Sequence, residues 1–315
     1  MARVPAALYA ERTLASYPFR MVQRKSRDLQ TAAESAARAI ESADALVVTA
    51  GAGMGVDSGL PDYRGNQGLW RAYPRLQHLG LSFEAMATPA WFERNPRMAW
   101  AFYGHRRQLY RETEPHRGHA LLLEWGRAMP HGYFVFTSNV DGHFERAGFS
   151  ADRVAECHGN IHRNQCSVPC HDAVWPDAGE DLDIDPGKLE ARGPLPTCPH
   201  CGAIARPNVL MFNDWNWIGD VTAAQMARYE AWLEELRIAQ ARVAIVELGA
   251  GTRLPTIRYE SQRLATELDG TLVRINLREP EAPGGAVELA LPALGALERI
   301  DAVLAPGFKR RCRDA

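Results

Sequence analysis

The sequence has no long hydrophobic run, no excess of either charge and few cysteines. No stretch approaches the roughly 20 consecutive apolar residues of a membrane helix, since even the run from Ala244 to Leu254 is interrupted by Glu247 and Arg253. Its 36 basic and 38 acidic residues leave a net charge of −2, too small for a global field that attracts a polyanion. We therefore expect a soluble protein with no membrane partner and no direct nucleic-acid binding.

Six cysteines in 315 residues are too sparse for a disulfide scaffold, which favours a reducing compartment. The first 27 residues hold six basic side chains and one acid, a mildly transit-peptide-like balance, but no apolar core segment. We expect a cytoplasmic protein, in preference to one of the mitochondrial matrix.

The chain is 46% hydrophobic, enough for one large domain or two modest ones, and this excludes disorder as the main state. Short apolar runs bounded by turn residues alternate with helical spacings such as Tyr229, Trp232, Leu233 and Leu236. The predicted strands are Ala45–Thr49, Tyr133–Thr137, Val243–Leu248 and Thr271–Ile275. Alternation of this kind predicts an α/β fold with a doubly wound, parallel Rossmann-like sheet.

The stretch from Asn164 to Arg206 breaks this alternation, because it is rich in Pro, Asp and Gly and poor in apolar runs. It contains two short cysteine pairs, Cys166/Cys170 and Cys198/Cys201. Four thiolates in two such pairs suit a tetrahedral structural Zn²⁺ with no open coordination position. The neighbouring His171 and His200 are alternative ligands.

A glycine-rich turn, Gly51-Ala52-Gly53, directly follows the first predicted strand. Glycines at a strand-to-helix turn let the backbone approach a pyrophosphate, but Val56 breaks the G-x-G-x-x-G spacing. The turn is therefore either a nucleotide cradle or a tight turn without a ligand. The polar, glycine-punctuated segment 57–65 that follows is a candidate for a mobile cover.

Two more polar clusters follow predicted strands. Ser138, Asn139 and Asp141 come at the carboxyl end of the second strand, where parallel sheets gather ligands, although Asn139 and Asp141 could instead cap the next helix. Further along, His158 precedes a glycine and could act as a general base near neutral pH. His162 is an equally eligible alternative by composition.

Taken together, these motifs resemble the sirtuin (Sir2) family of NAD-dependent protein deacylases, over about residues 30 to 305. The matching blocks are Gly51–Gly53, 57–65, Trp100–Tyr103 with Arg106 and Arg107, Pro115 with His119, 138–141, His158–Gly159, the four cysteines, Arg206–Phe212, Gly251–Thr252 and Ile275–Asn276.

The resemblance implies roles for individual residues. His158 would be the general base, and Asn139 and Asp141 would form the nicotinamide pocket. The other implied cofactor-binding residues are Gly51, Ala52, Gly53, Asp62, Tyr63, Arg64, Ser138, Gly251, Thr252, Arg253 and Asn276. The implied organisation is an extension over 1–28 and a catalytic domain over 29–310. That domain would hold a Rossmann lobe (29–62, 119–160 and 208–310), a helical insertion (63–118) and a zinc module (161–207).

The implied reaction is removal of an acyl group from lysine in an acylated protein or peptide substrate, with NAD consumed as cosubstrate. Nicotinamide and O-acyl-ADP-ribose would be released. Transfer of ADP-ribose to a protein or small nucleophile, or plain NAD hydrolysis, would use the same pocket.

The sequence departs from the family pattern at four places, and the first is Gly55, where Ser is usual. Ser138 stands where Gln is usual, Arg253 stands where Ser is usual, and the usual F-G-E is replaced by residues 212–214, Phe-Asn-Asp. Trp215 and Trp217 follow that last block. Two indoles there line a hydrophobic acyl channel, which would favour longer acyl chains, or block a peptide, or pack the zinc module onto the Rossmann lobe.

Overall fold

The computed structural model describes residues 17–61, 66–179 and 181–314. Its helices are α1 (Tyr17–Ser42), α2 (Asn66–Ala72), α3 (Pro74–His78), α4 (Phe83–Met86), α5 (Ala90–Arg94), α6 (Pro96–Glu112), α7 (Arg117–Arg127), α8 (His143–Arg146), α9 (Asp220–Ala239), α10 (Thr256–Glu267), α11 (Ala293–Val303) and α12 (Pro306–Asp314). Short 3-10 helices span Ala52–Ser58 and Ala151–Arg153.

The strands of the described residues fall into three sheets. They are β1 (Ala45–Ala50), β2 (Tyr133–Thr137), β3 (Val154–Glu156), β4 (Gly159–Cys166), β5 (Trp175–Pro176), β6 (Ile184–Asp185), β7 (Glu190–Ala191), β8 (Ala205–Val209), β9 (Val243–Leu248), β10 (Thr271–Ile275) and β11 (Val287–Leu289). The largest sheet is fully parallel, in the order β11-β10-β9-β1-β2-β3. The predicted parallel α/β sheet is confirmed, with two short edge strands added to the four predicted ones.

Alternate residues of β1 point to opposite faces of this sheet, as the twofold period of a strand requires. Leu46 and Val48 join a core cluster with α1, α7 and α11, whereas Ala45 and Val47 join a second cluster with α9 and α10. Because β1 pairs with β2 on one side and β9 on the other, the strand order reverses at β1. Ligands of open α/β sheets bind at such a switch point.

A smaller lobe consists of helices α2 to α6 and the small sheets. Its own core centres on α6, with Trp100 and Phe102 completely buried. The second sheet has the order β5-β4-β8, and Gly159 pairs with Val209 at its end, so this sheet extends two residues beyond each predicted end of the zinc module. At the amino end, α1 begins at Tyr17 rather than near Leu29. No helix among the described residues is long and apolar enough to span a membrane.

Candidate active site

Two glycine-containing loops touch at the switch point, one after β1 and one after β9. The Gly51 N–H donates to Leu248 and the Gly53 N–H donates to Gly249. A Cβ on Gly51 would lie 2.9 Å from the Gly249 carbonyl oxygen, and Gly249 itself has a φ of 58° with Gly53 atoms 2.4 Å from a Cβ position. Side chains at these positions would push the loops apart, so the glycines permit a direct backbone contact.

A cleft of about 540 Å³ opens beside these loops, between the Rossmann sheet and the smaller lobe. From the Rossmann side it is lined by Gly51, Ala52, Ser138, Asn139, Asp141, His158, Gly251, Thr252 and Arg253. The smaller lobe contributes Phe83, Glu84, Tyr103, Arg106 and Tyr110, and the segment after β8 contributes Leu210, Met211 and Phe212. On the Rossmann side alone, the structure thus brings four widely separated sequence motifs to one cavity.

The residues after β2 are held by the loop after β1. The Thr137 hydroxyl donates to the Ala50 carbonyl at 3.0 Å, and the Asn139 side-chain amide donates to the Gly51 carbonyl at 3.1 Å. Asp141 is buried and its carboxylate accepts the His143 N–H at 3.0 Å, at the start of α8. Asp141 thus binds the first N–H of α8 from the position before the N-cap residue, Gly142, and it lines the cleft as well. Asn139 is bonded to the glycine loop instead.

His158 occupies the turn between β3 and β4. Its ring faces the backbone of Ser138, which acts to raise the pKa of His158, and its own carbonyl accepts the Leu210 N–H at 3.0 Å. Burial lowers the pKa of His158, so the imidazole is neutral near pH 7. A neutral imidazole carries a hydrogen on one ring nitrogen and a lone pair on the other, and that lone pair can take up a proton.

Gly159 lets the chain turn directly after this histidine. Its φ is +74°, and a Cβ would lie 2.2 Å from the Asn208 carbonyl oxygen. Any side chain here would break the start of the β4–β8 pairing. The alternative base, His162, does not line the cleft, since its Nε2 lies 3.1 Å from the Asp141 carbonyl and its Nδ1 lies 3.4 Å from Asp177.

The loop after β9 is tied down by acidic side chains. Thr252 donates both its N–H and its hydroxyl to Glu279, at 3.1 and 2.7 Å. Arg253 pairs with Glu84 of the smaller lobe at 2.8 Å, so this residue, where the family usually has Ser, connects the two walls of the cleft.

Five of the predicted cofactor residues are not seen on the cleft wall. Gly53 and Asn276 do not line the cavity, and the Asn276 amide instead donates to the Ala250 carbonyl at 2.7 Å and supports the loop from behind. Asp62, Tyr63 and Arg64 lie outside the described residues. Their roles stay predictions.

Sequence reasoning assigned no role to the α6 residues in the cleft. Arg106 is 6% exposed, donates to the Tyr110 hydroxyl at 3.2 and 3.0 Å, and lies within 5.7 Å of the Phe83 ring centre. A signal was present, because Arg106 and Arg107 closely follow the apolar run from Met98 to Tyr103 in this helix. Burying a charged side chain of a helix is energetically unfavourable, so such a side chain indicates a specific contact that compensates for it.

Neither tryptophan after β8 lines the cleft. Trp215 is 92% exposed, and Trp217 packs near Gly219. Asp214 is buried and holds this loop by binding Arg206 at 2.7 and 3.0 Å. The acyl-channel interpretation of the tryptophans is therefore wrong.

The four predicted metal ligands converge. Cys166 and Cys201 sulfurs lie 3.6 Å apart, Cys170 and Cys198 sulfurs lie 3.7 Å apart, and all four lie within 4.8 Å of one another. Tetrahedral Zn–S bonds of about 2.3 Å place sulfurs about 3.8 Å apart, so the set fits Zn²⁺. His171 also lies 3.4 Å from the Cys198 sulfur, but the four sulfurs already complete the coordination sphere.

Comparison with known proteins agrees with this geometry. Curated relatives include an NAD-dependent protein deacylase of Aquifex aeolicus, 35% identical over 173 residues, which are 54% of this chain and 62% of the relative. Another is an NAD-dependent protein deacylase of Thermus thermophilus, 33% identical over 184 residues, or 58% and 63% of the two chains. The chain spans about three fifths of the length of these relatives.

Solved structures match over more of the chain. A Sir2 homologue mutant in complex with ADP-ribose is 25% identical with a TM-score of 0.61, covering 85% of this chain and 94% of that one. A Sir2 homologue–NAD complex shares the fold, with 24% identity, a TM-score of 0.62 and coverage of 86% and 95%. The model of the Sir2 family matches residues 51–230, more than half of the sequence. The chain therefore belongs to the Sir2 family.

Proposed function

We propose that this protein is an NAD-dependent protein-lysine deacylase that releases nicotinamide and O-acyl-ADP-ribose. The observation that carries the proposal is the convergence of Asn139, Asp141 and His158 on one cleft at the switch point of the sheet. The names of the curated relatives support the same activity.

The residues of the cleft suit NAD as a cosubstrate. Gly51 and Thr252 both line the cavity, and a glycine turn after a strand lets the backbone approach a pyrophosphate. Asn139 and Asp141 present an amide and a carboxylate that complement a nicotinamide carboxamide. When bound, NAD would supply a ribose carbon that becomes electrophilic as nicotinamide leaves.

His158 then has a defined task. Its ring is neutral near pH 7 and lines the cleft, so the ring nitrogen without a hydrogen can take a proton from a ribose hydroxyl. The smaller-lobe wall with Phe83 and Tyr103 would exclude water from the acyl group. We also propose a structural Zn²⁺ on the four cysteines and a cytoplasmic location.

The experiment is mass spectrometry of the products formed from NAD and a panel of acyl-lysine peptides. O-acyl-ADP-ribose supports the proposal, whereas ADP-ribosylated peptide or free ADP-ribose alone would favour transfer or hydrolysis on the same scaffold.

Substitution of the base sharpens the test. We expect His158→Ala to lower kcat about 10² to 10⁴-fold with little change in NAD affinity, because it removes a proton acceptor and little packing. His162→Ala is the matched control, since that ring lies outside the cleft. Loss of turnover in the control but not in His158→Ala would show that the base is misassigned.

A further inference from the structure

The turn that carries His158 is fixed on two sides by the main chain. The Cys157 N–H donates to the Thr137 carbonyl of β2 at 2.9 Å, and the His158 carbonyl accepts the Leu210 N–H at 3.0 Å. Glu156, the last residue of β3, immediately precedes the turn and is 2% exposed. A buried acid beside the proposed base needs an explanation, because an unpaired buried charge is costly.

Three donors surround the Glu156 carboxylate. The Asn160 side-chain amide donates to Oε1 at 2.6 Å, while Arg163 and the Gln225 amide donate to Oε2 at 3.0 and 3.2 Å. These partners come from β4 and α9, on both sides of the His158 turn.

The orientation of both amides is set independently of the carboxylate. The Gln225 carbonyl oxygen accepts the Glu156 N–H at 3.0 Å, and the Asn160 carbonyl oxygen accepts the His162 N–H at 2.8 Å. Each NH₂ group must therefore face Glu156. Both carboxylate oxygens of Glu156 therefore accept hydrogen bonds, and none of these three partners offers an acceptor for a proton on the carboxyl group.

Charged and titratable groups around Glu156 act in opposite directions. Burial, the largest influence, and Glu145 of α8 raise the pKa of Glu156, whereas Arg163 and the two amides lower it, and the net result is a pKa above the ordinary value of a glutamate. Arg163 approaches to 3.0 Å and is only about one quarter exposed, so it is a strong local counter-charge.

Helix α9 also satisfies the outer edge of β3. This strand lies at the end of the parallel sheet, where backbone groups have no neighbouring strand. Gln225 accepts the Glu156 N–H, and the Thr222 hydroxyl donates to the Glu156 carbonyl at 3.1 Å. The backbone of Glu156 is therefore bonded to α9, and its side chain is bonded to both α9 and β4.

We propose that Glu156 is a positioning residue, whose buried and hydrogen-bonded carboxylate locks the Cys157–His158 turn between α9 and β4 and so holds the His158 ring toward the cleft. The proposal rests on the proposed function for its effect on turnover. Its geometric part concerns the turn alone.

The first test is the isosteric change Glu156→Gln. The glutamine side chain has one acceptor oxygen and therefore cannot accept from the donors on both sides. Its own NH₂ group must then face the NH₂ group of Asn160 or Gln225, or the Arg163 guanidinium. We expect kcat to fall about 10- to 100-fold, as for a catalytic group displaced by about 1 Å. The Kd for NAD, measured by calorimetry, should stay within about threefold of wild type.

A charge swap provides the matched rescue. In the double variant Glu156→Gln/Gln225→Glu, the carboxylate moves to position 225, where it still accepts the N–H of residue 156 and lies near Arg163. The new amide at position 156 can accept from Asn160 through its oxygen. We expect kcat to return to within about threefold of wild type. Gln225→Glu alone places two carboxylates in contact, so its kcat should be lower than that of Glu156→Gln or of the double variant.

The modification rate of His158 by diethyl pyrocarbonate, followed by mass spectrometry, tests the turn without any turnover. We expect a several-fold faster rate in Glu156→Gln and a wild-type rate in the swap. If wild type shows no deacylation, the proposed function fails while this assay still decides the positioning role. The proposal would be overturned if folded Glu156→Gln kept the kcat and the His158 modification rate of wild type. It would also be overturned if this variant lost NAD affinity as much as kcat, or if the swap did not restore kcat. Should Glu156→Gln not fold, the swap must restore both folding and turnover.

Discussion

The parallel sheet and the cysteine module are stabilised in different ways. All residues of β1, β2 and β9 are buried, between apolar clusters on both faces of the sheet. In contrast, the described residues of 167–204 contain three buried apolar side chains, at Leu189, Ala191 and Cys198. The β5, β6 and β7 strands of this segment have two residues each. Apolar burial alone can hold the sheet, whereas the module requires a cross-link between its ends.

The largest effect should follow removal of the metal. We expect one zinc per chain, and chelation or Cys198→Ser should unfold the module, because structural zinc contributes on the order of 10 kcal/mol in small domains. Hydrogen exchange should become fast over 167–204 before the sheet strands lose protection, and activity should be lost. Well-folded, active protein without zinc would remove the distinction between the two regions.

A cavity in the sheet should lower the free energy of unfolding less than metal loss does, but far more than a substitution on the module surface. Leu46→Ala empties a fully buried position and should lower the free energy of unfolding by about 2–5 kcal/mol. Val168→Ala, at a 60% exposed site of the module, should change it by less than about 0.5 kcal/mol. Urea denaturation of both variants measures the difference, and equal losses would contradict it.

Acid should weaken the Rossmann lobe through a buried histidine. Burial, with His116 and His143 close by, lowers the pKa of His119 to about 3. The unfolded chain takes up a proton below about pH 6.5 and the folded chain does not, so stability is full above that pH and falls toward pH 3.

Between pH 7.5 and pH 5 we expect His119 to contribute a loss of about 2 kcal/mol. Urea midpoints at both values give the measurement. His119→Phe should reduce the pH dependence by that amount, since a phenyl ring cannot titrate. The same pH dependence in the variant would exclude His119 as a source.

The smallest effect should come from the ion pair between the lobes. Arg253 and Glu84 have side chains 62% and 32% exposed, and such pairs contribute up to about 1 kcal/mol. A double-mutant cycle with Arg253→Ser and Glu84→Gln should give a coupling in that range, lost at about 1 M salt. A coupling of several kcal/mol, or one insensitive to salt, would show a tighter connection between lobes than the exposure indicates.

Strands with long apolar runs were predictable, and short edge strands were not. β2, β9 and β10 begin and end at the predicted residues. β3 and β11 have three residues each, which is too short for a periodic pattern, and they exist because a neighbouring strand offers hydrogen bonds.

The motifs of the cleft were predictable because they depend on local chemistry. Gly51 and Gly159 lie where main-chain atoms of another segment come too close for a side chain. The four cysteines predict a metal site through their thiol groups and their spacing. The position of Asn276 was not predictable in this way. Its side chain lies behind the loop after β9 because of the direction in which it leaves the end of β10.

The sequence by itself determined the sheet-forming runs, the metal ligands and the types of residue that meet in the site, because each is a property of neighbouring residues. Only the tertiary structure decided that His158 rather than His162 faces the cleft, that Arg253 reaches Glu84, and that Glu156 is enclosed by donors from β4 and α9. These outcomes depend on contacts between segments far apart in the chain. Their geometry is set by how helices and strands pack, which a local pattern does not encode.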